Sequence, residues 1–355
     1  MIRRLSPAYR RHLILLTLLL LAGSLLVFRL SRQDRPGREL VLGQRFAMGT
    51  YVEIQAYSSS LGVSHLEPVF ERIDLIERYQ SRTMEGSDIH RYNALGVSDT
   101  VQVSPETYRV VESAIGLAEI TGGLFDPTIG EIVRLWGIGT EEERIPDRIR
   151  IEEALVGVGY QSALQLLGDR NLRRLSRAEL DLGGIAKGYA ADEAALVLQA
   201  QGFESGLVSV GGDIAVFGEK PDGSLFRIGL QDPLRERGRY LAILEDTDIA
   251  VVTSGDYERY FELDGERYHH IIDPETGRPG ESDLHSVSVI AESAMVADAL
   301  ATAFFLLGSE GSLALADKLE AVEVVLVRID RHVLYSSSLE GRLILTSEEY
   351  TYEAR

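Results

Sequence analysis

One stretch near the start of this sequence cannot belong to a water-soluble core. Arg3, Arg4, Arg10 and Arg11 precede an uncharged, mostly apolar run from Leu13 to Phe28, and Arg29, Arg32, Arg35 and Arg38 follow it. A membrane-spanning helix wants about 20 apolar residues, and this run is slightly shorter, which also suits the apolar stretch of a signal peptide. No small-x-small cleavage signal follows it cleanly, and the chain has no cysteine to accept a lipid. The expectation is therefore a basic segment at 1–12, an uncleaved transmembrane signal anchor at 13–28, a polar Pro/Gly-bearing linker at 29–42 and one domain at 43–355. Arginine on both flanks gives the charge-asymmetry rule little to act on. The signal-like character of the segment places the domain on the outer side of the cytoplasmic membrane, in the periplasm or at the cell exterior.

Charge separates the two parts as well. The eight arginines and one aspartate of residues 1–38 contribute +7, so the remainder carries −26 of a total of −19. A strongly acidic domain repels phosphate backbones, which excludes a nucleic-acid partner. With no cysteine there is neither a disulfide nor thiolate chemistry.

Apolar residues at Leu66, Val69, Phe70, Ile73 and Ile76 recur at helical spacing and predict a helix over about 63–79. Ser104-Pro105-Glu106 supplies a cap, a first-turn proline and an acidic first turn for a second helix, which Gly122 ends. Further helices are expected near 187–201 and 294–307. Strands are expected at 50–56, 206–217, 249–253, 284–290, 322–328 and 341–346. Strands and helices do not alternate strictly, so the fold class is α+β, with mixed, largely antiparallel sheets and flanking helices. Beyond about residue 310 no motif suggests a site, and the segment is expected to complete the sheet.

Five segments could carry chemistry. In DLGGIAKGYAAD (181–192) an acid and two glycines precede a helix whose first turn holds Lys187, an arrangement suited to a phosphate or to an ordinary tight turn. In VADALATAFF (296–305), Asp298 and Thr302 are four apart and share one helix face. Two hard oxygen donors there could serve a magnesium ion; alternatively Asp298 is solvated and Thr302 bonds back to its own helix. HHIIDPETGRPG (269–280) puts His270 where a base could stand. TSGDYERYF (253–261) offers Ser254, Gly255 and Asp256 as candidate cofactor contacts, and LFDPTIG (124–130) makes a corner that could wall a flat ring.

The order MGT (48–50), Ser81-x5-Ser87-x5-Asn93, LFDPTIG, DLGGIAKGYAAD, SVGGDI (209–214), TSGDYER, HIIDP (270–274) and VADALATA resembles the FAD:protein FMN transferase (ApbE) family over about residues 43–305. The resemblance implies a T-fold-like core. It also implies magnesium-dependent transfer of FMN from FAD to a Thr or Ser hydroxyl of a partner protein, with release of AMP. The implied partners are extracytoplasmic flavin-accepting domains such as subunits of membrane redox pumps. By position, Asp298, Thr302 and the carbonyl of Gly184 match the family's metal ligands. Met48, Leu124, Phe125, Asp126, Asp181, Lys187 and Ile272 match FAD-contacting positions, and His270 matches the base. One position departs: where the family often has a tyrosine two residues after the first serine, this chain has Thr83. The subgroup lacking that tyrosine is associated with hydrolysis of FAD to FMN and AMP, which is the alternative activity; a non-catalytic flavin-binding protein is the reading of another class.

Overall fold

A computed structural model of the chain describes residues 37–355. The expected basic segment and membrane helix lie outside the described residues. Nine strands form the main sheet and stand in it in chain order: β1 (Glu39–Ala47), β2 (Thr50–Ser58), β3 (Ser205–Val210), β4 (Asp213–Phe217), β5 (Ala250–Gly255), β6 (Leu284–Ala291), β7 (Glu323–Arg328), β8 (His332–Tyr335) and β9 (Thr351–Ala354). From β2 to β8 every neighbouring pair is antiparallel, while β8 and β9 run parallel. The mixed, largely antiparallel α+β architecture is thus as the sequence implied. The first strand starts at Glu39, so the last four residues of the expected 29–42 linker belong to the sheet.

The central strands are apolar on both faces because both faces are covered. In β7, Val324 and Leu326 join one core while Val325 and Val327 join another, the period-2 alternation of a pleated strand. In β5, Ala250 and Val252 face the first core and Val251 the second. Helices cover the first face: α1 (Glu67–Gln80), α2 (Asp88–Asn93), α3 (Pro105–Ile120), α4 (Gly130–Trp136), α5 (Arg148–Leu155), α6 (Tyr160–Ala163), α7 (Ala186–Gln201) and α8 (Ala294–Ala316) are the α-helices among the described residues, and α1, α3, α7 and α8 supply most of that core. A three-stranded sheet of Phe226–Gln231, Tyr240–Asp246 and Leu343–Leu345 covers the second face. The expected strand at 341–346 therefore exists, but in this smaller sheet, paired to Tyr240–Asp246.

The expected cap of α3 forms, and α8 has one as well. Ser104 accepts a hydrogen bond from the Thr107 amide ahead of α3, and Ser293 accepts one from the Val296 amide ahead of α8. Helix α8 runs nine residues past its expected end at 307, through a break at Gly308 (φ 76°, ψ 177°). There the Asp283 carboxylate accepts from the Ser309 amide at 2.9 Å and restarts the helix as an external cap.

Helices α7 and α8 meet through small residues, with Ala190, Ala191, Ala194, Ala297 and Ala301 fully buried. The contact is closest at Gly188, where a Cβ would stand 2.1 Å from the Ala294 carbonyl oxygen. Backbone cannot yield as a side chain can, so Gly188→Ala is expected to destabilise the domain by about 3 kcal/mol or more. A lowered urea midpoint with an unchanged denaturant slope would register this; a midpoint equal to that of the parent would show that the two helices can separate freely.

Candidate active site

The register between α7 and α8 is held by Asp192, the last residue of the DLGGIAKGYAAD segment. Its carboxylate accepts from the Ser293 hydroxyl (2.7 Å) and from the Ala294 and Met295 amides (2.8 and 3.0 Å), so one helix caps the next. This register brings Lys187, in the first turn of α7, to Asp298 in α8: Lys187 Nζ is 3.5 Å from Asp298 Oδ2 and 2.8 Å from Asp213 Oδ2. The Gly188 amide also donates to Asp298 (3.3 Å). Both carboxylates are buried. Burial, and then the negative charge of Asp298, pushes the Asp213 carboxyl well above the usual range. Burial pulls the Lys187 ammonium down, but Asp213 and Asp298 outweigh it and leave the group firmly protonated.

Two buried carboxylates against one ammonium leave room for a further cation. Asp298, Thr302 and Gly184 lie together, since a Cβ at Gly184 would stand 3.5 Å from the Thr302 hydroxyl oxygen. Thr302 Oγ1 meanwhile donates to the Asp298 carbonyl at 3.4 Å, the back-bond anticipated as the alternative. Carboxylate, hydroxyl and carbonyl are hard oxygen donors and fit a hard divalent cation such as magnesium. No group of three or more His, Cys, Asp or Glu side chains suited to a metal occurs among the described residues. A cation here would depend on oxygens that a substrate brings.

These residues sit in a cleft of about 1330 Å³, larger than the ~300–1,000 Å³ of ordinary small-molecule sites. Leu124, Phe125, Asp126, Asp181, Gly184, Lys187, Ser254, His270, Ile272, Asp298 and Thr302 all line it. The fold thus gathers residues from five separate sequence segments. Asn93, the last position of the serine/asparagine spacing, holds the residue just before one of them: its side chain donates to the Leu180 carbonyl (2.9 Å) and accepts from the Leu180 amide (2.7 Å). The Asp181 amide then donates to the Pro127 carbonyl (2.8 Å), tying LFDPTIG to DLGG. Asp181 itself accepts from Gly183 N (2.7 Å) and pairs with Arg82 (2.9 Å).

Some candidates stand elsewhere. Met48, Thr83, Gly255 and Asp256 do not line the cleft. Met48 occupies the β1–β2 turn with Gly49, both at positive φ (52° and 68°), as a tight hairpin of that kind requires. Thr83 is exposed and its amide donates to Ser81 Oγ. Gly255 packs under the Tyr257 ring, and Asp256 accepts from His285 Nδ1 at 2.9 Å. Asp126 lines the cleft, yet both of its oxygens are engaged by its own surroundings, from Thr128 N and Oγ1 and from Tyr160 N. It fixes the loop's shape.

His270 is anchored by Arg259, whose carbonyl faces His270 N at 3.0 Å and Nδ1 at 3.2 Å. A carbonyl only accepts, so Nδ1 carries the proton and Nε2 is left as the basic nitrogen. Burial, then the nearby Arg259 charge, lowers the imidazolium to a pKa of about 4. The ring is neutral at physiological pH and can accept a proton.

Asp213 is the residue that sequence reasoning missed. It stands inside the SVGGDI segment, where the sequence assigns its acid no role; the Gly211-Gly212 turn before it is local, but its Lys187 partner is a tertiary feature.

Comparison with known proteins identifies the family. The sequence profile of the ApbE family matches residues 48–326. The FAD:protein FMN transferase of Treponema pallidum is 35% identical over 323 residues, covering 86% of this chain and 89% of that protein. That of Vibrio cholerae is 35% identical over 326 residues, covering 89% and 93%. Among solved structures, the ApbE protein of Thermotoga maritima superposes with a TM-score of 0.80 at 33% identity, over 86% of this chain and 99% of that one. The apo flavinyl transferase ApbE of Pseudomonas stutzeri does so with 0.75 at 32%, over 89% and 96%. A profile match along most of the sequence, joined to relatives aligned over nearly their whole length, makes this chain a member of the ApbE family.

Proposed function

We propose that the protein transfers the FMN half of FAD to a Thr or Ser hydroxyl of an acceptor protein, with release of AMP. The observation that carries this reading is the buried Lys187–Asp213–Asp298 group beside Thr302 and Gly184, in one cleft with a neutral His270. Asp298, Thr302 and the Gly184 carbonyl would hold magnesium, which when bound supplies positive charge against the pyrophosphate. Lys187 adds a fixed ammonium, held in place by Asp213. Leu124, Phe125 and Ile272 offer apolar wall for the flavin ring. His270 Nε2 takes the proton from the acceptor hydroxyl as its oxygen bonds to the FMN phosphorus. The bond from that phosphorus to the bridging oxygen breaks, and the oxygen leaves with AMP.

An N-terminal anchor at 13–28 would hold the domain at the outer face of the cytoplasmic membrane, among acceptors such as flavin-carrying subunits of membrane redox pumps. In the test, the full chain in detergent micelles is mixed with FAD and magnesium, with and without an FMN-accepting domain, and the products are separated chromatographically. AMP formed only with acceptor, and flavin that stays on denatured acceptor, is the expected result. FMN and AMP released at the same rate without acceptor would instead favour the pyrophosphatase reading, for which exposed Thr83, in place of an aromatic side chain over the ligand, is the motivating observation.

A further inference from the structure

The cleft contains a cation that the site described above leaves unused. Of the basic groups lining it, Arg82 is paired with Asp181, Lys187 with Asp213, Arg235 with Glu349 and Arg267 with Glu262 and Asp256. Arg259 lines the same cleft and makes no ion pair among the described residues. It is nevertheless held. Its carbonyl accepts from His270 N (3.0 Å), and a Cβ placed at Gly139 would stand 3.5 Å from Arg259 Cδ, so its stem lies against the loop that follows α4. Arg237, the other unpaired arginine of the cleft, is on the loop between Phe226–Gln231 and Tyr240–Asp246; it is exposed, as Arg259 is, but has no such backbone or stem contact.

We propose that Arg259 is the diphosphate-binding residue of the cleft: its guanidinium takes the non-bridging oxygens of the FAD diphosphate, opposite the Asp298–Thr302 side. This deepens the transferase reading and rests on it for the identity of the ligand. An unpaired guanidinium on an anchored stem, in a domain of charge −26, is a group whose partner is an anion from outside, and the planar fork suits phosphate oxygens better than any other side chain. The position suits the task, because Arg259 lines the cleft beside His270, whose amide and Nδ1 lie 3.0 and 3.2 Å from the Arg259 carbonyl. There it would counter the charge that gathers on the departing AMP phosphate as the bridging bond breaks.

The test is titration calorimetry on the full-length protein in detergent with three probes, FAD, ADP and riboflavin, for the parent, Arg259→Ala and Arg259→Lys. Arg259→Ala is expected to weaken FAD and ADP by about tenfold or more and to leave riboflavin within about twofold; Arg259→Lys should recover part of the loss, since charge returns without the fork. FAD and ADP affinities unchanged in Arg259→Ala would overturn the proposal. So would an equal loss for riboflavin, which would make Arg259 a support for the cleft wall. Binding is read without turnover, so a parent protein that binds FAD and leaves an acceptor unmodified would defeat the transferase reading while this one is still decided by the three probes.

Discussion

Asp298→Ala is expected to lower FMN transfer by about a thousandfold or more while the domain still folds. The residue is the buried carboxylate of the candidate cation site, and a metal contributes several kcal/mol of charge stabilisation to phosphoryl transfer, with each ~1.4 kcal/mol worth a factor of ten. The fold should survive because Lys187 keeps its closer partner, Asp213 at 2.8 Å, and loses only the contact at 3.5 Å. Removing Asp298 also takes away one of the causes that raise the Asp213 carboxyl, so its pKa should fall back toward the usual range while its pair with Lys187 stays. Chelation should mimic the substitution in the parent, and added magnesium should restore the parent but not the variant. Transfer by Asp298→Ala within about tenfold of the parent, with the same response to chelator, would remove Asp298 from the chemistry and with it the reading of the α7–α8 junction as a cation site.

The sequence was informative where a local rule decides the outcome. The Ser104-Pro105 start of α3, the alternation of the central strands and the i, i+4 placement of Asp298 and Thr302 all depend on neighbours in the chain, and all form. The strand order was not legible, because nothing in the spacing of β6 and β7 says which strand they pair with. The small sheet under the second face was half-seen for the same reason. Its Leu343–Leu345 strand was expected, but its hairpin partner, separated from it by about a hundred residues, was not. At the site, two of the acidic candidates satisfy their own surroundings: Asp126, which lines the cleft, holds the Thr128 and Tyr160 amides, and Asp256, which does not line it, holds His285. Asp213 has no such local partner. A short acid after a Gly-Gly turn gives little signal until the fold brings an ammonium to it, and its pairing with Lys187 spans twenty-six positions of sequence.

His270→Asn is expected to lower transfer by about a hundredfold to ten-thousandfold, the usual share of a positioned general base, and to change the acid side of the pH profile. In the parent, burial and then Arg259 lower the imidazolium to about 4, so the ring is in its basic form throughout the neutral range. The kcat/KM of the parent should therefore hold level as pH falls through 6.5, the region where an unperturbed histidine titrates, and decline only near 4; in His270→Asn that limb should be gone. Stability carries the same signature. Between about 4 and 6.5 the unfolded chain binds a proton at this position and the folded one does not, so stability is lost as pH falls across that window. The asparagine variant should lose less over the same interval, and comparing urea midpoints at pH 7 and pH 5 measures the difference. An acid limb centred near 6.5, or one that persists in the variant, would mean that another group accepts the proton and that the Arg259 carbonyl holds His270 for its shape alone.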